Sequence, residues 1–231
     1  PAMRLTGPLT LAGTASGDAA VRIQTDLSGR VDVASAGAGR AVRLKADATL
    51  APQRLELRDL QALADGARAQ LSGLITRPAA DAPWAVNAKA ALVDFDPALW
   101  WPGRDDAAAS RRATNRLNAT AEAALNVPAN AATLAPLAAL AALRGQATLA
   151  LKPSQLAGVP ISGDASWRGG APANATLALL ADGNALRATG RITANGDGAS
   201  DAWDLTIDAP ALARLAPLYR LLRPGDTGLS T

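Results

Sequence analysis

One sequence phrase occurs twice in the chain, and this repeat limits the possible folds more than any other feature. The first copy is Gln61–Val93 and the second is Leu179–Ile207. Each copy contains Ala-Asp-Gly, then a glycine, an isoleucine and a threonine at matching positions, 117 residues apart in the two copies. A chain that repeats strand and turn in this way elongates a sheet, so the phrase predicts a repeat architecture rather than a fold closed around one catalytic centre.

An aspartate-glycine pair lies inside each copy, at Asp65-Gly66 and at Asp182-Gly183. Apolar and polar residues alternate on both sides of the pair, and this combination is typical of a two-residue hairpin turn. A third strand begins near Trp84 in the first copy and near Trp203 in the second, two residues out of step. Each copy therefore predicts a hairpin followed by one more strand.

Two glycines occupy the same position of the repeat, Gly73 in the first copy and Gly190 in the second. Both lie inside predicted strands, where glycine usually marks a bulge or a bend. We expect a matching bend in each copy, and the two bends would curve the sheet.

Alternation of apolar and polar residues continues through most of the chain, which predicts strands with one buried face. We expect a turn at Ser28-Gly29 and a break at Pro52-Gln53. The pattern gives roughly a dozen strands of about 6–11 residues and favours the all-β class, an elongated and curved sheet that is antiparallel or mixed. Outside the repeat, predicted strands are Met3–Leu11, Val21–Leu27, Val42–Leu50, Leu117–Val127, Gln146–Lys152, Ile161–Trp167 and Ala175–Leu180.

Two or three short helical segments interrupt the strands. Ala135–Leu143 has a proline near its start and a glycine just past its end, the usual asymmetry of a helix. Asp96–Trp101 predicts one helical turn capped by its aspartate, and Pro210–Leu222 predicts a short amphipathic helix. The polar stretch Arg104–Asn115 is interpreted as an exposed loop.

The domain organisation follows from the repeat. We interpret residues 1–231 as one continuous β-repeat segment of a longer chain. Its repeat-like units cover about 41–103 and about 161–223, with the polar loop and short helix at about 104–145 between them. Both ends are expected to be cut from something longer, so the lack of a targeting signal carries no information.

Composition excludes several classes of function. Hydrophobic residues make up 49% of the chain but aromatics only 3%, and about a quarter of the residues are alanine, which favours a thin core or a smooth apolar lining. The net charge is +3 with both signs interspersed, so no nucleic-acid-binding face is predicted. Cysteine and histidine are both absent, which removes disulfides, cysteine-based metal sites, and the commonest general base and metal ligand.

Few residues remain as candidates for chemistry. Ser154 near Lys152 is either a serine–lysine pair or part of a turn around Pro153, and no flanking signature favours the pair. Asp94 and Asp96 either begin an oxygen-ligand site for a hard cation or close a strand and cap a helical turn. We therefore predict no catalytic residue, no cofactor and no metal site, and a non-enzymatic protein.

Two apolar features also have two interpretations each. Trp100-Trp101 is either a binding anchor or a plug at the end of a core that has few large side chains. The leucines of Ala135–Leu143 either contact a partner or a membrane, or pack on the sheet.

The functional signal is distributed along one face of the sheet. That face either packs in a closed core, as in a structural or adhesive repeat domain, or stays partly open as a groove. An open groove would suit acyl chains or an incoming unfolded strand. Alternation alone selects the candidate lining residues, which are Leu55, Leu57, Leu71, Trp84, Val86, Leu186, Ile192, Leu205 and Ile207.

Several loose motifs, taken in order, give the chain a family resemblance. The strands are joined by short Ala-Asp-Gly and Leu-Ser-Gly turns, and the motifs are Asp96–Arg104, Arg116–Leu125, Ser154–Gly170 and Trp203–Leu218. Together they resemble the TamB family, which is related to the AsmA-like proteins. The resemblance covers nearly the whole chain.

The resemblance implies a fold, a location and partners. Members of the family are anchored in the inner membrane of Gram-negative bacteria and cross the periplasm as an elongated, taco-like β structure with an apolar groove. They act with a TamA-like outer-membrane β-barrel in the assembly of outer-membrane proteins and autotransporters. Related bridge-like proteins transport phospholipid between membranes. The chain would then be a periplasmic shaft segment whose groove meets phospholipid acyl chains or nascent outer-membrane β-strands.

Overall fold

The computed structural model describes residues 4–14, 20–31, 40–64, 66–97, 114–133, 136–193 and 200–222. These residues form thirteen strands, two short α-helices and two single-turn 3₁₀ helices. The all-β class predicted by the alternation is confirmed.

The strands follow one another along the chain with few interruptions. They are β1 Arg4–Thr6, β2 Leu9–Thr14, β3 Ala20–Val31, β4 Arg40–Ala51, β5 Arg54–Ala64, β6 Ala67–Thr76, β7 Trp84–Phe95, β8 Leu117–Val127, β9 Arg144–Leu156, β10 Val159–Gly169, β11 Ala173–Ala181, β12 Asn184–Ile192 and β13 Ala202–Asp208. The helices are α1 Pro136–Ala142 and α2 Ala216–Leu222, preceded by 3₁₀ turns at Ala131–Thr133 and Leu212–Leu215 respectively.

All thirteen strands belong to one sheet with the simplest possible order. From β3 to β13 each strand pairs antiparallel with the next strand in the chain, while β1 and β2 lie end to end against β3. The sheet is antiparallel throughout and is open, with β1 and β2 at one edge and β13 at the other. Sequential antiparallel pairing needs only hairpin connections, so the sheet grows along the chain as the repeat predicts.

Strand register places most of the large apolar residues of the strands on one face, which we call the apolar face. One row of partners on this face is Leu50, Leu55, Ile75, Val86 and Leu125, which crosses β4 to β8. The residues between them point to the opposite side, the polar face, because successive side chains of a strand alternate. Directly paired residues share a face, so the assignment extends from β2 to β13.

The register shifts by one residue at three places within the described strands. At each place two residues of an odd-numbered strand lie opposite one residue of the neighbouring strand, which is a β-bulge. The bulged residues are Arg58-Asp59 in β5, Val93-Asp94 in β7 and Lys152-Pro153 in β9. A bulge of this kind bends the strand and increases its twist, so these sites curve the sheet. Pro153 therefore lies in a bulged strand, and the predicted turn around it is wrong; a bulge tolerates proline because one backbone N–H there has no ladder partner.

Gly73 lies directly beside the bulge of β5, since it pairs with Leu57 where the register shifts. Gly190, by contrast, sits in a regular ladder between Ala175 and Trp203, so of the two features that a glycine in a strand usually marks, a bulge or a bend, the bulge is absent there. A Cβ atom at Gly190 would lie 2.3 Å from the Trp203 ring. Glycine is required at Gly190 because the indole ring covers its backbone.

Two further predictions of local structure are corrected. Strand β3 runs straight through Ser28-Gly29, where a turn was predicted, because both residues keep ladder partners in β4. The predicted strand Met3–Leu11 is divided at Gly7-Pro8 into β1 and β2. Gly7 has φ 156° and its α-carbon faces the Asp26 carbonyl, and Pro8 has no N–H to donate to the ladder.

The predicted hairpins and helices are otherwise present. Asp182-Gly183 forms a two-residue turn with positive φ at both residues, and Gly66 also has positive φ, whereas Asp65 lies outside the described residues. Pro52-Gln53 separates β4 from β5, as predicted. The helix predicted at Ala135–Leu143 is α1. Within the segment predicted at Pro210–Leu222, a 3₁₀ turn precedes α2, and most of Asp96–Trp101 and Arg104–Asn115 lies outside the described residues.

The two α-helices lie at opposite ends of the strands. The first rim is the set of strand ends where β6 leads into β7 and β8 into β9, and α1 packs there through Ala141 against Ala173, Ile192 and Trp167. The second rim is the opposite set of ends, where β11 leads into β12. Asn184 joins the C-terminal segment to it, because its side-chain amide donates to and accepts from the Ala211 backbone at 3.2 and 2.9 Å. No helix within the described residues has the length and apolar character needed to cross a membrane.

Candidate functional site

All nine candidate lining residues lie on the apolar face. Register pairs Leu55 with Ile75 and Leu57 with Gly73, and it places Leu71 and Val86 on the same side. Trp84 lies opposite Val127 at the first rim. In the second copy of the repeat, Leu186 pairs with Ile207. Leu205 is two residues from Ile207, and Ile192 is six residues from Leu186, so both lie on the same face. That this face binds a cargo stays a prediction.

The nine residues differ in how far they are covered. Leu205 and Ile207, on the edge strand β13, are 62% and 63% exposed. Ile192 is only 3% exposed because α1 covers it at the first rim. Leu71 is exposed, and the other five are half-buried. The face is therefore sealed locally at a helix and open over most of its length.

Burial is concentrated at the strand ends, and the middle of the apolar face is uncovered. Buried apolar residues at the second rim include Val42, Ala64, Ala119, Val159 and Ala181. Those at the first rim belong to the cluster around α1. Among the described residues, no large side chain is completely buried. A closed core would place its most buried residues at the strand centres, and this sheet does not.

A concave cavity of about 600 Å³ occupies the middle of the apolar face and crosses β6 to β13. Its base, which we call the alanine floor, is formed by mid-strand alanines, and leucines and tryptophans rise around it. The alanine floor comprises Ala88, Ala121, Ala147, Ala165, Ala175 and Ala188. Small side chains at these positions leave room above the sheet that larger residues would fill.

The alanine floor offers almost no hydrogen-bonding capacity. Strands β7 to β12 have neighbours on both sides, so their backbone N–H and C=O groups are used in the ladders. Two polar residues on the apolar face are satisfied locally, whereas the buried Trp167 Nε1 has no hydrogen-bond partner among the described residues. Ser154 accepts from the Asn118 N–H at 2.9 Å, and Thr25 donates to the Pro8 carbonyl at 3.0 Å. A surface of this kind suits a molecule without polar groups, since an unpaired polar group placed there would lose its water.

The tryptophans occupy different positions along the apolar face. Trp84 lies at the first rim, with the Arg77 guanidinium carbon 4.3 Å from its ring centroid. Trp203 covers Gly190 and is 55% exposed. Trp167 lines the cavity and packs against the cluster around α1. Trp100-Trp101 lies outside the described residues.

The polar face of β3 to β5 is covered by ion pairs. Arg22 binds Asp47 through two nitrogens, at 3.2 and 2.8 Å, and Arg43 binds Asp26 in the same two-nitrogen arrangement. Hydrogen bonds from these arginines hold the pKa of Asp47 and Asp26 below their ordinary values. The pKa of Glu56 is lowered in the same way by Arg54 and Arg58. These contacts place opposite charges next to one another on the polar face.

A second cavity, of about 640 Å³, lies mainly on this polar face near the second rim. The row of residues Ser28, Arg43, Leu63, Arg68 and Val93 lines it. Most of the lining is small or apolar, and its charged residues are Arg43 and Arg68.

The residues considered for catalysis or metal binding have structural partners. The Ser154 hydroxyl is buried and donates to the Lys152 carbonyl at 2.8 Å, which ties the β9 bulge together. Asp94 has φ 46° in the β7 bulge and pairs with Arg116 at 2.8 Å. Within the described residues no group of three acidic, cysteine or histidine residues could hold a metal ion. Asn115, placed in an exposed loop by the sequence, is 6% exposed, and its side chain accepts from the Ala157 N–H.

Sequence reasoning missed several residues of the apolar face. Leu149 and Leu177 border the cavity and were absent from the predicted lining, although they lie in alternating stretches that were recognised as strands. Arg77 was also missed. It follows Leu71, Gly73 and Ile75 at the same two-residue spacing, so a charged residue that continues an apolar row was the available signal.

Comparison of the chain with protein-family models, with curated proteins and with solved structures gave no match.

Proposed function

We propose that the chain is a non-enzymatic groove segment of a TamB-like periplasmic protein, and that its apolar face shelters phospholipid acyl chains during transport between the inner and outer membranes. The observation that carries this proposal is the apolar face itself. It is continuous across the sheet, concave over the alanine floor, and uncovered in its middle. A large exposed apolar surface in a folded protein indicates a binding site.

Acyl chains fit this surface better than nascent β-strands do. A polypeptide lying on the alanine floor would bury its own N–H and C=O groups against ladders that have no free partners. Each such unpaired group costs roughly 1–3 kcal/mol. A hydrocarbon chain carries no such groups, and each buried methylene contributes about 0.8 kcal/mol.

Assembly of outer-membrane proteins with a TamA-like barrel is the second candidate function. The outer edge of β13 favours it, since β13 ends the path of paired strands and all seven of its residues are exposed. An incoming strand would form its ladder there and not on the face. The two functions therefore use different parts of the sheet.

The rival interpretation is a structural or adhesive repeat domain that carries no lipid. A dry, fully packed apolar strip would favour it, and the exposed residues of β13 and the cavity favour the groove instead.

Lipid extraction followed by native mass spectrometry tests the proposal on the chain purified from bacterial membranes and periplasm. We expect co-purified phospholipid, and we expect the Leu205→Asp/Ile207→Asp variant to lose it while staying folded. Thr206→Asp is the matched control, because it adds a carboxylate to the same strand on the polar face. Folded protein that carries no lipid and ignores added phospholipid would remove the groove function and leave the structural repeat.

A further inference from the structure

Arg77 lies at the margin of the apolar face, and the burial of hydrocarbon does not explain its presence there. Among the side chains that the structure describes, the strands carry no aspartate, glutamate, lysine or arginine on this face. Arg77 follows Ile75 by two residues, just past the end of β6, and lies opposite Trp84 at the first rim. A guanidinium group therefore stands where the apolar surface ends.

The position of Arg77 is fixed by three contacts. Its backbone N–H donates to the Gln53 carbonyl at 3.0 Å, and its Nη1 donates to the Ala80 carbonyl at 2.6 Å. The guanidinium carbon lies 4.3 Å from the centroid of the Trp84 ring. Stacking on tryptophan orients the guanidinium plane and lowers the entropy cost of binding a ligand with it.

The charge of Arg77 is not neutralised within the described residues. Asp81 lies in the same connection but forms no ion pair with it, whereas nearby Arg54 pairs with Glu56 at 3.1 Å on the polar face. Arg77 Nε is buried and has no hydrogen-bond acceptor among the described residues. An unpaired buried donor is costly, so an acceptor supplied by a ligand would stabilise this arrangement.

We propose that Arg77 and Trp84 form a phosphate-binding site at the first rim. This inference rests on the proposed function when the phosphate belongs to a lipid whose acyl chains lie on the adjoining apolar row of Ile75 and Val86. A guanidinium group is a planar fork of N–H donors that can bind two oxygens of a phosphate group. The shared chemistry is the phosphate oxyanion, which a lipid headgroup or free phosphate can supply.

The test compares three probes on the whole chain: dioleoylphosphatidylglycerol, dioleoylglycerol, which has the same acyl chains without phosphate, and inorganic phosphate. Native mass spectrometry measures lipid binding, and phosphorus NMR measures inorganic phosphate. We expect Arg77→Gln to weaken phosphatidylglycerol binding by roughly tenfold, the effect of losing one charge-assisted hydrogen bond. Binding of dioleoylglycerol should not change.

Arg54→Gln is the matched control, since it removes an arginine near the same rim from the polar face; it should leave both lipids bound as before. Arg77→Lys keeps the charge but loses the fork, and we expect intermediate binding. Thermal unfolding of each variant checks that the fold survives.

Equal loss of both lipids in Arg77→Gln, or no loss of either, would overturn the phosphate site and leave the proposed function standing. If the unaltered protein bound neither lipid, the proposed function would fall instead. In that case the phosphorus NMR signal of inorganic phosphate decides on the site. A shift of this signal with the unaltered protein but not with Arg77→Gln would support the phosphate site, and the absence of such a shift would overturn it. If Arg77→Gln weakened the binding of inorganic phosphate by the same factor as the binding of phosphatidylglycerol, free phosphate would be identified as the source.

Discussion

The two copies of the repeat make the same hairpin and then place the same tryptophan in different surroundings. In the first copy β5 and β6 form the hairpin and β7 is the third strand; in the second these are β11, β12 and β13. Trp84 lies at the rim, opposite Arg77, whereas Trp203 lies directly opposite Gly190. The connection to the third strand is longer in the second copy, and the register of that strand changes with it. The register of the third strand thus decides whether the tryptophan lies at a rim or covers a glycine.

The isoleucines at matching positions give the largest expected difference between the copies. Ile192 is buried under α1 with Ala141 and Ala173, whereas Ile75 is half-buried between Leu55 and Val86. We expect Ile192→Ala to lower the free energy of unfolding by about 3 kcal/mol, because it leaves a cavity in a packed cluster. Ile75→Ala should cost about 1 kcal/mol, in keeping with its partial burial. Urea unfolding of both variants measures the difference.

An equal loss of unfolding free energy in the two isoleucine variants would mean that packing against α1 adds no stability at Ile192. The helix would then not distinguish the copies. Ile207→Ala is the control for an uncovered position, since Ile207 is 63% exposed on the same face. It should change stability by less than about 0.5 kcal/mol.

The glycines at matching positions give the next difference between the copies, because only one of them is covered by a tryptophan. Gly190→Ala pushes a methyl group into the Trp203 ring, while Gly73→Ala meets the Asn87 carbonyl at 2.8 Å and not Trp84. Both substitutions destabilise the sheet, but only the first depends on its tryptophan. A double-mutant cycle should give a coupling of about 1 kcal/mol between Gly190→Ala and Trp203→Ala.

The same cycle on Gly73 and Trp84 should give no coupling. Gly13→Ala is the control for an uncrowded glycine, because a Cβ at Gly13 meets nothing within 4 Å. It should be neutral or slightly stabilising. Coupling of similar size in both copies would show that the two tryptophans have the same role.

Local chemistry made much of this fold predictable. Alternation alone placed all nine candidate lining residues on one face, because a strand has period two and each predicted strand kept its phase. The Asp182-Gly183 turn followed from its need for positive φ. These features depend on residues close together in the chain, and the sequence contains that information.

The features that sequence reasoning missed depend on strand partners. Ser28-Gly29 has the composition of a turn, but two neighbouring strands hold it in the ladder. The bulge at Lys152-Pro153 and the burial of Asn115 arise where distant segments meet. The pairing of Trp203 with Gly190 depends on register, which alternation fixes only to within two residues. The alanine floor and the Arg77 position need the assembled sheet to be recognised.

The smallest expected effect is a difference between the two copies in how a fall in pH lowers their local stability. The carboxyls of Asp26, Asp47 and Glu56, in β3 to β5, have a lowered pKa in the folded protein. A lowered folded-state pKa contributes stability above the ordinary values of 3.8 for Asp and 4.5 for Glu, and this stability is lost as the pH falls through the folded-state pKa. Hydrogen exchange should therefore show β3 to β5 losing protection before β11 to β13 do as the pH falls from about 4.5 to about 3. In Asp26→Asn/Asp47→Asn, protection of β3 to β5 should start lower and vary less with pH, because two of the three titrating groups are gone. A parallel loss of protection in both copies would show that acid acts on the sheet as a whole and not through the ion pairs beside the first copy.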